Sequence, residues 1–138
     1  MRQVNSYLGF AGKCREAMEF YKQCMGGELV LTVVKDSPVA DKVPPHMQDE
    51  IIHSMLTSGP LVLMGTDMTR GQAIEGNTVS ICINCSSKDE LTDLFTKLSE
   101  GGEVRDPLME AFWGGYFGAV TDKYGKQWVF NYDKDRKD

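Results

Sequence analysis

Histidine is scarce in this chain. Only two occur in 138 residues, so no Ser-His-Asp arrangement can be proposed. Long apolar runs are missing too: none approaches the roughly 18 residues that a membrane-spanning helix needs. The opening, MRQVNSYLGF, is too short and too polar for a secretory signal. Basic charge is not in excess, with 15 Lys and Arg against 20 Asp and Glu and a net charge of −5. The basic residues are also scattered, which argues against nucleic acid as a partner. No glycine-rich loop follows a strand and opens a helix, so nothing points to a dinucleotide. Four cysteines could make two disulfides, but without a signal segment they read as reduced thiols of a cytoplasmic protein.

What is present is enough apolar content, 41%, for the core of one domain over residues 1–138. The stretch that organises the rest is AFWGGYFGAVTDKYGKQWVFNY, from Ala111 to Tyr132. It reads as two strands, Phe112 to Thr121 and Gln127 to Tyr132, joined by a turn in which Gly125 supplies a positive φ. Gly114, Gly115 and Gly118 lie inside a strand, where they mark a bend or the close approach of a backbone or ligand.

In chain order, Gln3 to Phe10 alternates as a strand, with Val4, Leu8 and Phe10 opposite Asn5, Tyr7 and Gly9. Lys13 to Met25 places Cys14, Ala17, Met18, Tyr21 and Met25 at helical spacing, and Gly26-Gly27 ends that helix. Glu28 to Lys35 is a strand. Residues 36–49, with three prolines, form a long loop of the kind that is functional or mobile. Glu50 to Thr57 and Leu61 to Gly65 are strands, and residues 66–76 link two halves. Asn77 to Cys85 predicts a strand with Val79, Ile81 and Ile83 on one face and Thr78, Ser80 and Cys82 on the other. Ser87 and Glu90 form a capping box before a helix with Leu91, Leu94, Phe95 and Leu98, ended by Gly101-Gly102. Glu103 to Met109 precedes the terminal hairpin. The order is β-α-β-β-β twice, over about 1–66 and 77–138, an internal repeat that points to two packed modules.

The residues also carry a resemblance. Phe20-Tyr21 followed by Met25-Gly26-Gly27-Glu28 resembles the signature of the vicinal oxygen chelate superfamily, which includes glyoxalase I, extradiol dioxygenases and bleomycin-resistance proteins. Tyr7 to Ala17, Ile52-His53-Ser54 leading to Met64-Gly65-Thr66-Asp67, and Trp113 to Asp122 with Gly125 to Trp128 resemble its PhnB-like branch. The resemblance implies an α+β fold: two βαβββ modules forming a curled, cup-like mixed sheet, helices outside and the active cavity within. It also implies a homodimer, often with modules paired across subunits.

Catalytic members of that superfamily hold a divalent metal with His, Gln or Glu. Carried over position by position, those sites fall on Asn5, Met64, Thr78 and Val129. None is a good ligand for such a cation, so neither a metal nor any other cofactor is expected. His53 is either a hydrogen-bonded structural residue or, if it faces the cavity, the best general base available. Asp67 matches a branch position and also reads as a turn or cap residue; His46 lies in the proline-rich loop.

Cys82 and Cys85, three apart on a strand, point to opposite faces and read as structural. Cys14 and Cys24 fall on different helix faces. Phe112, Trp113, Tyr116, Trp128 and Phe130 are core or ligand cage. Trp128 and Phe130 share the face that packs on a helix, which leaves Gln127, Val129 and Asn131 for the cup. With Asn5, Tyr7, Thr78, Ser80 and Cys82 they make a neutral lining suited to a small, weakly polar ligand. The expectation is a small-molecule-binding protein; the alternative is a lyase- or dioxygenase-like enzyme, metal-dependent or using His53.

Overall fold

A computed structural model of the chain describes residues 2–133. It divides into two compact units, Met1–Ile74 and Glu75–Asp138, and each repeats one design.

In the first unit, strand β1 (Ser6–Gly9) leads into helix α1 (Cys14–Met25), followed by β2 (Glu28–Val33), β3 (Ile51–Ser58) and β4 (Leu61–Thr66). The sheet order is β1-β4-β3-β2, with β1 parallel to β4 and the other pairs antiparallel. Helix α1 buries Cys14, Ala17, Met18, Phe20, Tyr21 and Cys24. The stripe is wider than the spacing alone predicted, so Cys14 and Cys24 are both buried rather than split between faces. They face Leu56, Leu63 and Ser54, which alternate to the helix side of β3 and β4 and are wholly buried. A side chain of leucine size buried completely contributes roughly 1.5–3 kcal/mol, and this stripe is the core of the unit. The loop over residues 36–49 is built rather than loose. It contains 3-10 turns at Ala40–Lys42 and Pro45–Met47, and the Gln48 amide donates to the carbonyls of Ala40 and Val43, both at 2.9 Å.

In the second unit, β5 (Ile81–Asn84), α2 (Lys88–Ser99), β6 (Glu103–Glu110), β7 (Tyr116–Thr121) and β8 (Gln127–Tyr132) follow in the same order. The sheet runs β5-β8-β7-β6, again with the first strand parallel to the last. Ser87 caps α2 by accepting the Glu90 N–H at 3.1 Å. Glu90 reaches back to the Ser86 N–H and hydroxyl, both at 3.2 Å, one residue upstream of the usual box partner. Trp128 and Phe130 face the helix and are fully buried, Phe130 edge-on to Phe95 of α2 at 5.5 Å. Gly118 lies on this face because a Cβ there would sit 2.7 Å from Leu108 and 2.8 Å from Phe95. At Gly115 a Cβ would collide with the Tyr132 carbonyl, so the close backbone approach expected of these glycines is present. The hairpin turn is locked by Asp122, whose Oδ1 accepts the Tyr124 and Lys126 N–H groups and whose Oδ2 accepts the Trp128 indole N–H at 2.7 Å.

Two strands are shorter than their alternation predicts. Pairing of β1 starts at Ser6, opposite Leu63, and that of β5 at Ile81, opposite Trp128. Val4 and Val79, expected on buried strand faces, are therefore exposed, at 96% and 80%.

Candidate functional site

Each sheet has one face covered by its helix and one open face, and the open faces gather most of the expected lining residues. On the first sheet, Tyr7, Met64, Met55 and Val30 stand in register across all four strands. His53 lies beside them, its ring 6.3 Å from that of Tyr7, and its imidazole makes no hydrogen bond among the described residues. On the second sheet, Cys82, Val129, Ala119 and Asp106 make one row, and Asn84, Asn131, Phe117 and Met109 the next. Gln127 stands at the end of β8, where it accepts the Thr121 hydroxyl at 3.0 Å. Trp113 packs edge-on against Phe117 at 6.4 Å and against Phe112 at 4.9 Å.

Other expected residues lie elsewhere. Thr78 and Ser80 are exposed ahead of β5, and Asn5 precedes β1. Phe112 projects into solvent, 99% exposed, so neither the core nor an enclosing cage holds it within the chain. Met55, Val30, Asn84 and Phe117 belong to the open faces and were overlooked. Strand alternation from His53 and Cys82 would have found Met55 and Asn84.

Asp67 is buried just beyond β4, and its carboxylate is fully engaged. Oδ1 accepts the Gly12 and Cys14 N–H groups at 2.7 and 2.9 Å, and Oδ2 accepts the Ile51 N–H at 2.9 Å. It caps α1 from a distance and ties it to the start of β3. Next to it is a hollow of about 310 Å³ lined by Arg15, Glu16, Glu19, Asp49 and Glu50 among others. Burial raises the affinity of Glu50 for its proton, helped by its hydrogen bond to Asp67 and that group's charge, with His46 opposing.

The cysteines divide sharply. Cys82 is exposed, whereas Cys14, Cys24 and Cys85 are buried, and all four are free thiols. Burial pushes the thiols of Cys14 and Cys85 up to about 11, which makes them poor nucleophiles. The opposite-face reading of Cys82 and Cys85 matches this split.

The positions onto which the resemblance carries a metal do not fit a divalent ion. Val129 has no lone pair, Met64 offers only a soft thioether, and Asn5 and Thr78 offer weak neutral oxygens. Among the described residues, no group of three or more His, Cys, Asp or Glu side chains is placed to hold a metal.

Repeated βαβββ units with parallel first and last strands define a glyoxalase-type fold. The chain belongs to the Glyoxalase/Bleomycin resistance protein/Dioxygenase superfamily, whose profile matches residues 3–130. It is similar to protein PA1353 from Pseudomonas aeruginosa, with 39% identity and a TM-score of 0.85 over 98% of this chain and 100% of that one. Protein YjdN of Escherichia coli K12 is 29% identical over 93% of each chain. A PhnB protein from Bacillus cereus, provisionally described as a 3-demethylubiquinone-9 3-methyltransferase, shares the fold at 23% identity and a TM-score of 0.72, over 96% of this chain and 100% of its own.

Proposed function

We propose that this protein binds a small, neutral molecule on its open sheet faces, without the divalent metal of the superfamily's enzymes, as a homodimer in the cytoplasm. The observation that carries the reading is the lining itself. Neutral polar groups (Tyr7, Asn84, Gln127, Asn131) alternate with soft apolar ones (Met55, Met64, Val129, Phe117) across both sheets. Such a mix suits a weakly polar ligand and gives a phosphate or carboxylate little to hold. Tyr7 and Val30, 55% and 65% exposed on one open face, and Met109 on the other are apolar area that a second copy would cover. No helix among the described residues is long and apolar enough to cross a membrane.

The two tryptophans make the binding test specific. Trp128 is fully buried against α2, while Trp113 is 43% exposed beside Phe117. In a screen of small neutral aromatic and heteroaromatic molecules, a ligand should raise the melting temperature and quench Trp113, and Trp113→Phe should abolish the quench. A ligand at one hundred times its Kd stabilises by about 2.7 kcal/mol. A library that moves neither signal would overturn the reading. Light scattering of the purified protein tests the dimer, and a monomer at micromolar concentration would refute that part.

One observation favours a second reading, a metal-free enzyme. His53 presents an imidazole with no hydrogen bond among the described residues, next to the Tyr7 ring, as a general base on an open face would. Conversion of a bound ligand that His53→Gln abolishes without weakening binding would establish it; unchanged conversion in that variant would dismiss it.

A further inference from the structure

We propose that the side chains of Asn84 and Asn131 form a recognition edge for a flat cyclic lactam or imide, a ring that carries N–H and C=O side by side. The inference rests on the small-molecule reading above and names the chemical class that one part of the surface takes. Asn131 Nδ2 donates to Asn84 Oδ1 at 3.2 Å, and the Cys82 thiol donates to the same oxygen at 3.9 Å. These bonds leave Asn84 Nδ2 as a donor and Asn131 Oδ1 as an acceptor, neither with a partner among the described residues. The strand beneath is anchored, because the Cys85 N–H donates to the Asn131 carbonyl at 2.8 Å.

The same register row continues from Asn131 to Phe117 and Met109. Adjacent strands lie about 4.8 Å apart, so a ring resting on Phe117 brings its edge over the amide pair. Trp113 packs edge-on against Phe117, with the ring centroids 6.4 Å apart. A lactam answers the donor with its carbonyl and the acceptor with its N–H. A ligand with only one of the two leaves an amide group unanswered. Asp106, in register on the neighbouring row, disfavours an anion at the same place.

Carbostyril, a flat bicyclic lactam, and its N-methyl derivative test the proposal with the ¹⁵N-labelled full chain. Carbostyril should shift the side-chain amide resonances of Asn84 and Asn131 and bind about tenfold more tightly than the N-methyl compound, the worth of one hydrogen bond. Asn131→Ala removes the acceptor for the lactam N–H and should bring the two affinities together. If that variant does not fold, Asn84→Ala, at an exposed position, should weaken both compounds about equally and leave their ratio near tenfold, because it removes only the donor to the carbonyl that they share. Equal binding of the two compounds to the native protein, or amide shifts confined to other residues, would overturn the proposal. So would failure of carbostyril to bind while another molecule raises the melting temperature; in each of these cases the small-molecule reading survives. If no molecule binds at all, both fall together.

Discussion

Replacing Asp67 by alanine removes the acceptor for three backbone N–H groups from two separate segments. The cost can be worked from their surroundings. Gly12 is at the surface and its N–H can turn to water, but Cys14 and Ile51 are buried at 0% and 1% exposure. Two donors are therefore stranded, at about 1–3 kcal/mol each, and the start of α1 loses a favourable negative charge worth roughly 0.5 kcal/mol. The sum centres on about 3–5 kcal/mol, a large part of the roughly 5–15 kcal/mol that holds a domain folded. Asp67→Asn keeps an oxygen for Gly12 and Cys14 but sets an amide against the Ile51 N–H, so about 2–3 kcal/mol is expected. Urea unfolding followed by circular dichroism measures both. A loss below about 1 kcal/mol for Asp67→Ala would refute the view that this carboxylate holds α1 to the sheet.

Three further outcomes follow from the same geometry. Glu50 binds its proton more tightly in the folded state than its ordinary value of 4.5 implies; its contribution is full below that value and lost as pH rises through the raised one. Glu50→Gln, a neutral mimic, should therefore stabilise the protein at pH 7, with a gain that fades toward pH 4; equal melting temperatures at pH 7 would contradict this. Gly118→Ala should cost about 1–3 kcal/mol by pushing on Phe95 and Leu108, and a neutral result in a urea titration would show that this contact gives way freely. Native protein treated with a thiol reagent should expose Cys82 quickly, and Cys14, Cys24 and Cys85 only on unfolding; rapid labelling of a second thiol would count against the burial of the other three.

Much of the fold was legible because local signals and long-range order agree. Gly26-Gly27 and Gly101-Gly102 end both helices, Ser87 caps α2, and the alternation of Gln127 to Tyr132 places Trp128 and Phe130 against the helix. What failed was the extent of β1 and β5. Alternation in Asn77 to Ser80 looks like strand, but a strand exists only where a neighbour pairs with it, and β8 reaches only Ile81 to Asn84. The site was legible in part for the same reason. Residues inside paired strands (Tyr7, Met64, Cys82, Val129, Asn131) reached the open faces, whereas Thr78 and Ser80 lay just outside the pairing. The anchoring of Asp67 joins positions more than fifty apart in sequence, which no local pattern can disclose.

The most direct test of the central claim is the metal content of the purified protein after incubation with zinc, manganese, nickel and iron, followed by removal of free ions. Met64 and Val129 in place of metal ligands predict far less than one ion per chain, with ligand-induced melting shifts unchanged by a chelator. One tightly held ion per chain, with ligand binding lost on its removal, would contradict the account and return the protein to the metal enzymes of its superfamily.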